Sequence, residues 1–94
     1  MTVEVVLPGF LADLAGGEKH VQVDVGDGGT LAGVLDRLAQ GRPLLDRRIR
    51  DETGSVRRFV NVYVDGDDVR FAQGVATPVR DGAEVQVLPS VAGG

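Results

Sequence analysis

From its first residues the chain alternates: Val3, Val5 and Leu7 are set apart by Glu4 and Val6 until Pro8-Gly9 interrupts. Period two marks a half-buried strand, since successive side chains point to opposite faces. A first strand is therefore expected over residues 2 to 7. A loop carrying Phe10, Leu11 and Leu14 closes on Gly16-Gly17, after which Val21, Val23 and Val25 alternate with Gln22 and Asp24. This predicts a second strand at about 20 to 25, paired with the first as a hairpin.

After Gly28-Gly29 the period changes. Thr30 is a good N-cap, and Leu31, Val34, Leu35 and Leu38 fall at i, i+3, i+4 and i+7 on one helical face. Gly41 is placed to cap the C-terminus and Pro43 prevents continuation, while Gly33 inside the helix costs about 1 kcal/mol relative to Ala. Leu44, Leu45 and Ile49 have the spacing of one more apolar turn before the loop Asp51-Glu52-Thr53-Gly54. Strict alternation returns over residues 59 to 64, and Asp65-Gly66 is a type I′ hairpin signal leading into a fourth strand, Asp68-Val69-Arg70-Phe71. Asp81-Gly82 marks another turn. Residues 84 to 88 form a last strand, with Val85 and Val87 on one face, before Pro89 ends the ladder.

The order ββαββ(β) folds most economically as an α+β mixed sheet of about five strands over one main helix, the β-grasp or ubiquitin-like arrangement. It buries Leu31, Val34, Leu35 and Leu38 against Val3, Val5, Val23, Val60, Val62, Val85 and Val87. A split βαβ fold would need a second full helix, and residues 70 to 82 are too short and too rich in Gly and Pro to supply it. Without repeats or linkers, residues 1–88 are expected to form one domain, followed by a C-terminal tail over 89–94. A length of 94 residues also allows only one core.

Period-2 geometry adds an expectation about the other face of the sheet. If the valines face the helix, Val6, Phe59, Tyr63 and Leu88 turn away from it and offer a partner-docking surface near the tail.

Composition narrows the chemistry. With 43% hydrophobic and 26% charged residues the chain is an ordinary globular sequence. The first residues hold no basic stretch leading into an apolar one, and no apolar run approaches the roughly 20 residues of a membrane span, so a cytoplasmic protein without a membrane partner is expected. There is no cysteine, which removes disulfides, thiolate metal sites and cysteine nucleophiles together. The net charge of −4 argues against nucleic acid as the main partner. Against that balance, Arg42, Arg47, Arg48, Arg50, Arg57 and Arg58 crowd into one segment offset only by Asp46, Asp51 and Glu52. Both a solvated loop and a docking surface for an acidic partner fit this pattern.

His20 is the only histidine and has no cysteine to join it, so it reads as an ordinary residue at the start of the second strand. Asp65, Asp67 and Asp68 around Gly66 lack the glutamate an EF-hand loop requires, and the turn explains them. Gly26, Gly28 and Gly29 do not have the spacing of a dinucleotide fingerprint. No catalytic group, metal site or bound cofactor is expected.

What remains is Pro89-Ser90-Val91-Ala92-Gly93-Gly94, whose small residues cannot pack a core. A tail without Cβ atoms at its end fits a narrow enzyme tunnel and lets other atoms approach its last carbonyl. A free α-carboxylate, with a pKa of about 3.3–3.7, is an anion and a poor electrophile at neutral pH, so it would need activation.

The run Arg58-Phe59-Val60-Asn61-Val62-Tyr63-Val64-Asp65-Gly66-Asp67-Asp68-Val69-Arg70-Phe71, with Leu88-Pro89-Ser90-Val91-Ala92-Gly93-Gly94, resembles the ThiS/MoaD family of sulfur carrier proteins. Its likeness is greatest to the CysO-type branch, which serves thiocarboxylate-dependent cysteine synthesis. The resemblance implies a carrier, not an enzyme. Gly94, next to Gly93, would be the adenylation and thiocarboxylate site. The implied partners are an E1-like adenylating enzyme that uses ATP, a sulfur donor such as a rhodanese-like persulfide, and a sulfur-acceptor synthase. Related carriers feed molybdopterin, thiazole, thiolated tRNA or sulfur-containing natural products. Two alternatives stay open: a ubiquitin-like modifier joined to lysines through Gly94, and a passive β-grasp binding module.

Overall fold

Two strands that are 80 residues apart in sequence lie side by side at the centre of the sheet. The structure, a computed structural model describing residues 1–26 and 29–89, runs β1 (Thr2–Val6), α1 (Gly9–Asp13), β2 (His20–Asp24), α2 (Leu31–Ala39), α3 (Pro43–Ile49), β3 (Val60–Val64), β4 (Asp67–Asp68) and β5 (Glu84–Pro89). Two 3₁₀ turns, Val69–Phe71 and Gly74–Ala76, lie between β4 and β5. The sheet order is β2-β1-β5-β3-β4. β1 and β5 are parallel, with Val5 beside Val85 and Val6 beside Gln86, and the other pairings are antiparallel. The β-grasp arrangement expected from the element order is the one found.

Thr30 caps α2 as its position implies, its hydroxyl accepting from the Gly33 N–H at 3.3 Å. Leu31, Val34, Leu35 and Leu38 are buried with Val3, Val5, Val23, Val60, Val62, Val85 and Val87 in one aliphatic core. Each such side chain contributes about 1.5–3 kcal/mol relative to exposure. The N-terminus of α2 is held from outside as well. The Leu31 N–H donates to the Thr77 carbonyl at 2.9 Å, and the Thr77 hydroxyl donates to the Gly74 carbonyl at 2.7 Å. Gly41, at φ +73°, supplies the left-handed residue that ends the helix.

Four local expectations are corrected. The segment after β1 is not a plain loop: its main chain closes a five-residue α1, beginning with the Ala12 N–H donating to the Pro8 carbonyl at 2.8 Å. The apolar turn after Pro43 extends to the seven residues of α3, because the ring that stops α2 also suits the first position of a new helix. The fourth strand stops at Asp68. Its carboxylate accepts from the Arg70 N–H at 2.9 Å and turns residues 69–71 into a 3₁₀ turn, leaving Phe71 90% exposed. β3 begins at Val60 and leaves out Phe59, since the Val60 N–H closes a turn onto the Arg57 carbonyl at 3.0 Å. The Asp65-Gly66 turn has φ of 49° and 89°, both positive as type I′ requires.

A Cβ built at Gly33 would meet only the Thr30 hydroxyl, at 3.9 Å. Gly33→Ala should therefore stabilise the protein by about 0.5–1 kcal/mol, read as a rise of several degrees in Tm by circular dichroism.

Candidate functional site

The main chain of β5 sets the geometry. Up to Gln86 this strand lies between β1 and β3, and beyond it Val87, Leu88 and Pro89 pair with β3 alone, Pro89 opposite Val60. The described part of β5 thus ends at Pro89, past the end of β1 and held by β3. Gly93 and Gly94, the expected site of chemistry, lie outside the described residues, as does the rest of 90–94.

Around this end the outward face of the sheet can be read from the register. Val6 and Tyr63 flank Gln86 in one row, with His20 beyond Val6 and Asp68 beyond Tyr63. Leu88 stands one step nearer that end on the same strand as Gln86, opposite Asn61 and diagonal to Tyr63. Val6 and Tyr63 are half-buried, and Leu88 is 37% exposed. Three of the four expected docking residues are therefore brought together around Gln86. Phe59, 51% exposed, sits outside the ladder at the margin of this face, where the Arg58 guanidinium lies 5.8 Å from its ring centre.

Gln86 was not singled out by sequence, although its place between the inward-facing Val85 and Val87 was the available signal. Polar groups frame the apolar trio. His20, at the start of β2, has its Nδ1 3.0 Å from the Glu4 carboxylate of β1, an ordinary surface pair between neighbouring strands. The Asp65 carboxylate accepts from the Glu84 N–H at 2.9 Å and the Asp68 carboxylate from Arg70, so both have structural work at the turn. Among the described residues no group of three or more His, Asp or Glu side chains is placed to hold a metal.

The arginine-rich segment divides into two groups. Arg50 is committed: its side chain, 10% exposed, donates to Asp46 and Asp36 at 2.8 Å each and so fastens α2 to α3. Burial pulls its pKa down, but the hydrogen bonds it donates to both carboxylates outweigh this and the net shift is upward. The Arg42 guanidinium donates to the Leu38 carbonyl at 3.2 Å, while Arg47, Arg48, Arg57 and Arg58 are brought together by a closed turn. Arg50 bridges Val56, the Arg57 N–H donates to the Ile49 carbonyl at 2.8 Å, and Arg57 Nε donates to the Arg47 carbonyl. Asp51 holds this turn, accepting from the Thr53 hydroxyl and amide and from the Ser55 amide. Those bonds, chiefly the one from the Thr53 side chain, keep its carboxyl below the usual range.

Comparison with known proteins adds the context that geometry lacks. A model of the ThiS family matches residues 5–94. The sulfur carrier protein CysO of Mycobacterium tuberculosis is 41% identical over 96 residues, covering all of both chains. Its crystal structure superposes with a TM-score of 0.84 over 95% of this chain and 99% of that one. CysO in the BexX/CysO complex of Amycolatopsis orientalis is 36% identical, with a TM-score of 0.81 over 98% and 99% of the two chains. Small archaeal modifier protein 3 of Haloferax volcanii is 40% identical over 79 residues, 83% of this chain and 84% of its own.

The burial contrast around Arg50 makes an expectation for stability. Arg50→Ala should cost about 1–2 kcal/mol in chemical denaturation, whereas Asp36→Asn, at a carboxylate 69% exposed, should cost less than about 0.5 kcal/mol.

Proposed function

The chain belongs to the ThiS family, and from that premise we propose that it is a CysO-type sulfur carrier whose working group is the carboxylate of Gly94. The observation that carries this reading is the full-length likeness to the sulfur carrier CysO. The geometry supports it: the described end of β5, Pro89, lies beside an apolar sheet face suited to a partner enzyme.

In the proposed cycle the Gly94 carboxylate attacks the α-phosphorus of ATP on an E1-like adenylating enzyme, expelling pyrophosphate. Hydrosulfide then attacks the acyl carbonyl, AMP leaves, and the sulfur loses its proton to give a thiocarboxylate. A rhodanese-like persulfide can supply the same sulfur provided a thiol reduces the resulting disulfide link. An acceptor synthase takes the sulfur, with cysteine as the favoured product. The carrier is a protein substrate throughout and catalyses neither step. Thiosugar, molybdopterin and thiazole pathways use the same chemistry. A second reading, a ubiquitin-like modifier, draws on the likeness to the archaeal modifier protein and sends the same activated Gly94 to a lysine amine.

With its adenylating enzyme, ATP and sulfide, the protein should gain the mass of one sulfur in place of one oxygen, placed on Gly94 by fragmentation. It should then react with thiol-directed alkylating reagents although it has no cysteine. Deleting Gly94 should abolish both changes and leave thermal stability unaltered. Lysine adducts without sulfur incorporation would replace the carrier reading with the modifier one.

Tyr63→Asp or Leu88→Asp should raise the Kd for the adenylating or acceptor enzyme by about tenfold or more, with circular dichroism unchanged. Unaltered titration isotherms would remove the sheet face from the docking surface.

A further inference from the structure

Arg47 and Arg57 face two depressions, one shared with Asp36, Asp46, Asp51 and Glu52 and one that holds no carboxylate. Leu44, Arg47, Arg48 and Arg57 line a surface depression of about 390 Å³, and Arg58 adjoins it through the chain. Arg47 and Arg48 come from α3, Arg57 and Arg58 from the turn that leads into β3, so only the closed 50–57 segment makes them neighbours. Leu44 is 64% exposed at its side. Among the described residues, Arg47, Arg48, Arg57 and Arg58 form no ion pair, although Asp51 is near enough to Arg57 to feel its charge. Arg50, the one arginine of the segment that is neutralised, lies outside this depression.

The rest of the molecule has the opposite sign. The chain holds 10 Lys and Arg against 14 Asp and Glu, so without these four arginines it would carry six cations against the same fourteen carboxylates. An acidic partner is therefore repelled by most of the surface and attracted here, which fixes its orientation at encounter. Through the main chain the patch is also tied to the end of β5, because the Arg57 carbonyl accepts from the Val60 N–H and Val60 pairs with Pro89.

Resting on the carrier reading, we propose that the depression around Leu44, Arg47, Arg48 and Arg57, with Arg58, is a second docking site that receives an acidic surface of the adenylating enzyme. That surface presents carboxylates to the arginines and an apolar side chain to Leu44. Together with the sheet face it holds the carrier from two sides of the end of β5, so that the tail is aimed into the enzyme's tunnel. An apolar side chain beside the charges adds a specific contact, whereas charges alone would give only steering.

The test measures thiocarboxylate formation by the purified adenylating enzyme from the organism that makes the chain, at low and high salt (about 50 and 500 mM). Arg48→Glu with Arg58→Glu is the informative pair, because neither side chain takes part in the hydrogen bonds that close the turn. At low salt the double variant should lose about tenfold or more in kcat/KM, chiefly through KM, and high salt should narrow the gap to about twofold or less. The Arg48→Lys, Arg58→Lys pair should retain near wild-type behaviour, and Leu44→Ala should raise KM at both salts.

Equal kcat/KM for wild type and the charge-reversed pair at low salt, with equal Tm, overturns the proposal, as does a loss that salt does not relieve. Wild-type binding of a mixed-sequence RNA oligonucleotide that the reversed pair loses, with activation unchanged, would assign the patch to nucleic acid instead. If the wild type itself never gains sulfur, it is the carrier reading that fails, and the docking site falls with it.

Discussion

The parallel ladder between β1 and β5 is the constraint on which the rest of the molecule depends. Parallel neighbours cannot be joined by a tight turn, so the chain between them must cross one face of the sheet and return. α2 makes that crossing, and the core is what it traps: leucines from the helix against valines from both central strands. The pairing is non-local, with Glu4 beside Glu84, and its loop-closure entropy has to be met before any of the contacts it creates are gained. In return the last strand sits in the middle of the sheet instead of at an edge. Its far end is therefore anchored by core valines and by β3 up to Pro89, so whatever follows starts from a firm base.

That placement gives the two faces different tasks. The inner face is entirely aliphatic and makes the fold. The outer face sets Val6, Tyr63 and Leu88 around Gln86 within a polar frame, a small apolar area without the long hydrophobic edge that invites aggregation. β4, only two residues long, and the 3₁₀ turn after it blunt the edge beyond β3. The arginine patch lies apart from this sheet face and is assembled from helix and turn.

Much of this was legible in the residues because the signals were long and regular. Thr30, the Leu31-Val34-Leu35-Leu38 stripe and Gly41 specify α2 from cap to stop, and alternation specifies the inward valines. The misreadings fall where a pattern was too short to be unique. Asp68-Val69-Arg70-Phe71 alternates as a strand would, but three of those residues form a single 3₁₀ turn, and the deciding factor was an aspartate that also caps. α1 has no side-chain cap and only five residues, so its helix is set by main-chain bonds and by burial of Leu11 and Ala12. Alternation runs through Phe59, while a turn closed from Val60 back to Arg57 starts the strand one position later. The outward side of Val6, Tyr63 and Leu88 follows from alternation, but the place of Gln86 between them and the meeting of Arg47 with Arg57 are products of tertiary register that no local pattern encodes.

The core contains no aromatic ring. Phe10, Phe59 and Phe71 are all more than half exposed, the sole tyrosine lies on the outward sheet face, and the chain has no tryptophan. The optical signals most often used to follow folding are consequently almost silent about the core of this protein. Tyrosine fluorescence and the tyrosine band of the near-ultraviolet dichroism report instead on Tyr63 alone, which stands beside Gln86 on the sheet face proposed for docking. The molecule thus carries a native, single-site chromophore for association, and its unfolding is better followed through the far-ultraviolet signal of the backbone.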